Sequence, residues 1–132
     1  VPLTQANLDS LLEGIKYDNN GLVAAIIQDA TTNEVLMCAF LNRQSLRLTL
    51  ETGRMHYWSR SRQKLWLKGE TSGHTQTVKE VRLDCDADAF VFKVEQKGGA
   101  CHTGYYSCFY RRLDGQGWTE EGNKVFDPSK VY

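Results

Sequence analysis

Apolar positions first recur at helical spacing. Leu8, Leu11, Leu12 and Ile15 fall on one face, Thr4 stands where a cap belongs, and Gly14 or Tyr17 can end the turn, which predicts a short helix. Two apolar runs follow, "LVAAIIQ" and "EVLMCAFL", separated by "DATTN". They predict a β-hairpin buried on both faces. Asn42 then offers a cap to a second helix, "RQSLRLTLET", with Leu46 and Leu50 one turn apart and Gly53 as its stop.

Beyond this helix the period changes. "MHYWS" predicts a strand that leads into "RSRQKLWLKGETSGH", whose glycines, serines and charges keep neither helical nor strand period and predict a loop. "QTVKEVRLD", "AFVFKVE" and "YYSCFYRRL" predict further strands, and the tail 114–132, with Gly115, Gly117 and Gly122, reads as loop. The expected fold is α+β: a mostly antiparallel sheet with two short helices, in one compact domain over 1–132. At 132 residues such a domain can bury its own core.

Composition narrows the function classes. The 41% of hydrophobic residues is ordinary for a globular protein, so a disordered or fibrous chain is set aside. No run of eighteen apolar residues occurs, and the first residues lack a basic start followed by an apolar stretch. A soluble, cytosolic protein is expected, with no membrane partner. Sixteen basic residues balance sixteen acidic ones, so net charge predicts no polyanion partner. Charge is nevertheless sorted: Arg54, Arg60, Arg62, Lys64 and Lys68 come without an acid among them, and Asp84, Asp86 and Asp88 follow.

The chemistry gathers in three segments. In "DCDADAF" the three aspartates alternate with other residues, so on an extended strand they would share one face while Cys85 points to the other. Carboxylates suit Mg²⁺ and a thiolate suits Zn²⁺, although a solvated acidic strand end with a buried Cys gives the same pattern. An EF-hand loop is rejected, because Ala89 replaces its glycine and "FVFKV" is a strand. "CHTGYYSC" adds Cys101, Cys108 and His102. With Cys85, three thiolates would leave a tetrahedral zinc ion one place for water. Four cysteines could instead make two disulfides, a reading weakened by the absence of a secretion signal; Cys38, inside an apolar run, reads as buried. In the basic loop, "WSRSR" offers guanidinium forks and hydroxyls to a phosphate, and "KGETSGH" places Lys68, Glu70, Ser72 and His74 close together. The interleaved Tyr57, Trp58 and Trp66 would also suit a single-strand nucleic-acid platform or plain anchoring of a solvated loop.

Taken in series, "WSRSRQKLWLKGETSGHTQTV", "DCDADAF" and "ACHTGYYSCF" closely resemble phosphoribosyl-AMP cyclohydrolase of histidine biosynthesis, over roughly residues 20 to 113. Phe90 stands where that family usually has an aliphatic residue. The resemblance implies a cytoplasmic hydrolase of a cyclic amidine C–N bond, in which zinc-activated water attacks C6 of an N1-ribosylated adenine and opens the N1–C6 bond. It further implies one zinc per subunit on Cys85, Cys101 and Cys108, magnesium on Asp84, Asp86 and Asp88, and an intertwined homodimer that shares the zinc site. Cys85 would come from one subunit and the other two thiols from its mate. For proton transfer His102 leads, with His74 and Glu70 behind it. Arg60, Ser61, Arg62 and Lys68 are expected to contact substrate, and nucleic acid is not an expected partner. The rival readings are a zinc-stabilised nucleic-acid module and a zinc hydrolase of another base.

Overall fold

The computed structural model describes residues 4–131. Helix α1 spans Gln5–Glu13, and Thr4 accepts the Asn7 N–H at its start. Strands β1 (Val23–Asp29) and β2 (Val35–Leu41) form the first hairpin, and helix α2 follows as Arg43–Thr52. The remaining strands are β3 (His56–Ser59), β4 (Lys64–Leu67), β5 (Gln76–Leu83), β6 (Ala89–Gln96), β7 (Arg111–Asp114) and β8 (Gly117–Glu120).

The cap of α2 is reciprocal. Asn42 Oδ1 accepts the Ser45 N–H at 2.9 Å while Ser45 Oγ accepts the Asn42 N–H at 2.9 Å, so two orphan donors are satisfied at once. Gly53 ends the helix in the left-handed region at φ 75°, where a side chain would be strained. From its last turns Thr49 Oγ1 accepts the His56 N–H at 3.0 Å and donates to Ser45 O at 2.8 Å, which ties α2 to β3.

The main sheet has the order β2-β1-β6-β5. Its outer pairs are antiparallel, but β1 and β6 at the centre run parallel, with Ala24 opposite Ala89 and Ile27 opposite Phe92. Val23, Ala25 and Ile27 share the inner face with Phe90, Phe92 and Val94. Leu8 and Leu12 of α1 and Leu46 of α2 belong to this same cluster. Each such fully buried aliphatic or aromatic side chain contributes about 1.5–3 kcal/mol through surface removed from water.

Several sequence expectations need correction. The first hairpin is buried on one face only: Ile26 and its partner Cys38 are exposed on the other, so Cys38 is not a core residue. The segment expected to be all loop contains β4, paired with β3. "YYSCFYRRL" is strand only from Arg111 on, and the tail expected to be loop carries β8, paired with β7. Val81 and Leu83 of β5 pair with Phe92 and Phe90 on the inner face, yet both stay exposed. They line an apolar groove of about 490 Å³ with Leu11, Ile15 and Leu50. Among the described residues, no helix is long and apolar enough to cross a membrane.

Candidate active site

The β3–β4 hairpin and the 97–110 segment build the polar centre. Beneath them Tyr57 is fully buried and donates to Gln76 Oε1 at 2.5 Å; Gln76 Nε2 then donates to Gln96 Oε1 at 2.7 Å. Burial above all, and then the Cys108 and Cys38 thiols, hold the Tyr57 phenol well above its ordinary pKa, so it serves as a donor. Tyr57 also packs on its register partner Trp66, with ring centroids 5.1 Å apart, fixing the two strands side by side.

A cavity of about 390 Å³ opens above this layer, lined by Arg62, Lys68, Glu70, Ser72, His102 and Cys108 among others. His102 and Glu70 are exposed toward it, whereas Lys68 is only 6% exposed and donates from Nζ to Ala100 O at 2.8 Å. Burial holds the Lys68 amine below its ordinary pKa, against the pull of Cys108 and Cys101. Cys108 is anchored by its N–H to Leu36 O at 2.7 Å, and the Cys101 N–H bonds Tyr105 O at 3.2 Å. Desolvation, followed by the neighbouring Cys101 thiol, pushes Cys108 up to about 12 while Lys68 opposes that rise. Two thiols and a buried ammonium therefore sit together beside the cavity.

The structure divides the phosphate candidates. Arg60 and Ser61 line a second, more open cavity of about 560 Å³ with Trp58, Phe40 and Cys38. Arg62 faces the first. Met37 and Trp66 belong to both linings and form the wall between them. Arg60 stacks over Phe40, 4.0 Å from guanidinium carbon to ring centroid, and Ser59 Oγ accepts the Arg62 N–H at 3.3 Å, which shapes the turn that splits the pair.

His74 is not among the residues lining either cavity. Its ring packs edge-on against Phe126 with centroids 4.5 Å apart, and Nδ1 is enclosed without a well-formed hydrogen bond. Burial first and the Lys68 charge second lower its pKa, opposed by the Gly99 backbone, so His74 favours the neutral form.

Residues 84–88 form a hairpin loop between β5 and β6, not a strand. Ala87 adopts φ 60°, its N–H bonds Asp84 O at 2.9 Å, and the Asp84 N–H bonds Ala89 O at 2.9 Å. Alternation of faces is lost there. Donor atoms of Asp84, Cys85 and Asp86 all lie within 4.8 Å of one another, which corrects the expectation that sulfur and oxygen point apart. Asp88 shares a hydrogen bond with Asp84, which lowers the Asp84 pKa and raises that of Asp88. Among the described residues, Cys85 does not join Cys101 and Cys108 in one donor group within a single chain.

A sequence profile of the phosphoribosyl-AMP cyclohydrolase family matches residues 37–110, the span that holds both cavities, the acidic loop and all four cysteines. The chain belongs to the phosphoribosyl-AMP cyclohydrolase family. It is 59% identical over 124 residues to the phosphoribosyl-AMP cyclohydrolase of Salinibacter ruber, an alignment covering 94% of this chain and 98% of that one. With the phosphoribosyl-AMP cyclohydrolase of Methanococcoides burtonii it shares 60% identity over 121 residues, 92% of this chain and 98% of the other. It is also 54% identical over 125 residues to the histidine biosynthesis bifunctional protein HisIE of Thermoanaerobacter pseudethanolicus, covering 95% of this chain but 58% of that longer protein. Within the cyclohydrolase family's matched span, sequence reasoning missed the buried state of Lys68 and the dividing wall of Met37 and Trp66. A signal for the first existed: once "KLWL" is taken as a strand, alternation carries Lys68 to the side of Trp66 and hence toward Tyr57.

Proposed function

We propose that this chain hydrolyses phosphoribosyl-AMP in histidine biosynthesis, adding water at C6 of the purine and opening the N1–C6 bond. The observation that carries this reading is the first cavity, where His102, Glu70 and Cys108 line one space inside the segment matched by the family. A purine with a ribosyl group on N1 as well as N9 has an electron-poor C6, so addition there needs an activated water and a group to move protons. His102 is exposed on the cavity wall and takes the role of proton carrier, with Glu70 as its nearest alternative. His74, packed behind its loop, helps shape the site without touching the purine. The substrate carries two phosphates, and the two cavities divided by Met37 and Trp66 suit two arms: Arg62 serves one, Arg60 and Ser61 the other.

The donor set fits zinc with one qualification in geometry. Cys101 and Cys108 adjoin beside the cavity, which gives two soft ligands, and a third must come from elsewhere. Cys85, exposed at a hairpin tip and in no disulfide, is the thiol a second subunit can offer. The exposed Val81 and Leu83 precede it on β5, so a second copy seated on that apolar groove would bury them and come close to Cys85. We therefore read the protein as a homodimer with a shared zinc site. Zinc bound there would supply Lewis acidity that makes water a nucleophile at neutral pH. Asp84 and Asp86 suit a hard cation such as Mg²⁺, with Asp88 bonded to the first.

The deciding assay is incubation of the purified protein with phosphoribosyl-AMP, with and without a chelator, while ring opening is followed by ultraviolet absorption. Turnover that stops on chelation is expected. An inert protein after zinc reconstitution would overturn the reading, and salt-sensitive oligonucleotide binding in its place would favour a nucleic-acid module.

A further inference from the structure

Lys68 presents an unexplained charge. It follows β4, its N–H bonds Met55 O at 3.0 Å, and its side chain is turned inward to Ala100 O. Among the described residues, no carboxylate oxygen lies within 4.0 Å of its Nζ, and the ion pairs found there all involve other cations. Burying an ammonium without a counter-charge is unfavourable, so an unpaired lysine in such a place is kept for a partner of opposite sign. The groups that interact with it electrostatically as potential anions are Cys108 and Cys101. Its one hydrogen bond also falls on the residue before Cys101, in a tight loop closed by Ala100 N–H to Tyr106 O at 2.9 Å and Gly104 N–H to Cys101 O at 3.1 Å.

We propose that Lys68 is a positioning residue of the zinc centre, the built-in counter-charge of the Cys101–Cys108 pair, and not a substrate contact. This rests on the reading of those two cysteines as zinc ligands. An ion of charge +2 held by three thiolates carries a net negative charge, and the ammonium beside two of them neutralises it. The Ala100 carbonyl holds that ammonium in place. Partners of this kind, one step removed from the metal, typically change affinity by about 10–100-fold when removed.

The test is zinc affinity of the full chain, measured by competition with a chromophoric chelator at fixed protein concentration, together with the melting temperature of the metal-free protein. Lys68→Met should bind zinc about 10–100-fold more weakly. Its metal-free form should melt no lower than the wild type, since an unpaired buried charge has been removed. Lys68→Gln keeps an amide donor but no charge and should fall with Met, whereas Lys68→Arg should stay near wild type. Should Lys68→Met fail to fold, Gln against Arg carries the comparison. Wild-type affinity in Lys68→Gln, or equal losses in Gln and Arg, would overturn the charge role. Cys101→Ser separates the two levels: zinc affinity indifferent to that change refutes the ligand reading and this inference with it. Affinity lost in Cys101→Ser but unmoved in Lys68→Gln refutes the role of Lys68 alone.

Discussion

At the scale of single residues, polar side chains shut inside the protein decide more than their number suggests. Asp29 closes β1: its carboxylate accepts the N–H groups of Thr31 at 2.8 Å and Thr32 at 3.1 Å, and also the Tyr106 hydroxyl. Burial pushes its pKa upward, but the Tyr106 hydroxyl and the two N–H donors outweigh it, and the group ends below its ordinary value of 3.8. A depressed carboxyl adds stability that is present above the unfolded-state pKa and disappears as pH falls through the folded one. Tyr106→Phe removes a donor to a charged acceptor, and should cost about 1.5–3 kcal/mol near pH 7. The deficit should shrink as acid protonates Asp29 in both proteins, which urea unfolding from about pH 7 to pH 3 would reveal. A deficit that stayed constant over that interval would mean the ring's packing, not its hydroxyl, matters.

Among elements, the turn from Gly69 to Thr75 illustrates how backbone shape sets a wall of the first cavity. Gly69 lies at φ 87°, and a Cβ there would stand 2.7 Å from both His74 C and Thr75 N; Gly73 lies at φ 78° with nothing within 4 Å. Gly73→Ala should therefore cost only the conformational strain, about 1–2 kcal/mol. Gly69→Ala must add a backbone collision of about 1–3 kcal/mol, and should also impair turnover, because Glu70 and Ser72 ride on the displaced turn. Thermal melts of the two variants side by side test the difference. Local signals of this kind explain what could be read in advance. Asn42 and Gly53 announced both ends of α2 because capping is decided within a few residues. Strands β4 and β8 escaped because each is four residues set among glycines and charges that read as loop, while β7 was anticipated only as the end of a longer strand. The cysteines and aspartates were legible as chemistry, but their directions were not: Ala87 at positive φ undoes the alternation on which that forecast relied. Nor could side-chain type reveal that the turn after Ser59 sends Arg60 and Arg62 to different cavities.

For the molecule as a whole, the apolar strip left bare on β5 is the main unmet demand. Val81 is 39% and Leu83 47% exposed, although both face the side of the sheet where Phe90 and Phe92 are buried. The helices do not reach over this edge. In an isolated monomer Leu83→Lys would change stability by no more than about 0.5 kcal/mol. In the proposed dimer it should instead abolish association in sedimentation velocity and lower zinc content, while circular dichroism of the subunit persists. An unchanged sedimentation coefficient would place the partner elsewhere.

The parallel pairing of Ala24 with Ala89 also sets a timetable. All of the chain from Arg60 to Ser72 lies on the excursion between those two partners, so although the β3–β4 hairpin can form locally, its place against the main sheet is set by a closure spanning about half of the sequence. On a translating ribosome the first hairpin would emerge and wait with β1 as a naked edge until β6 followed it out. A chain stalled in that interval would present an unpaired, Ile- and Ala-rich ribbon to its surroundings, which makes the half-made enzyme a natural client for chaperones.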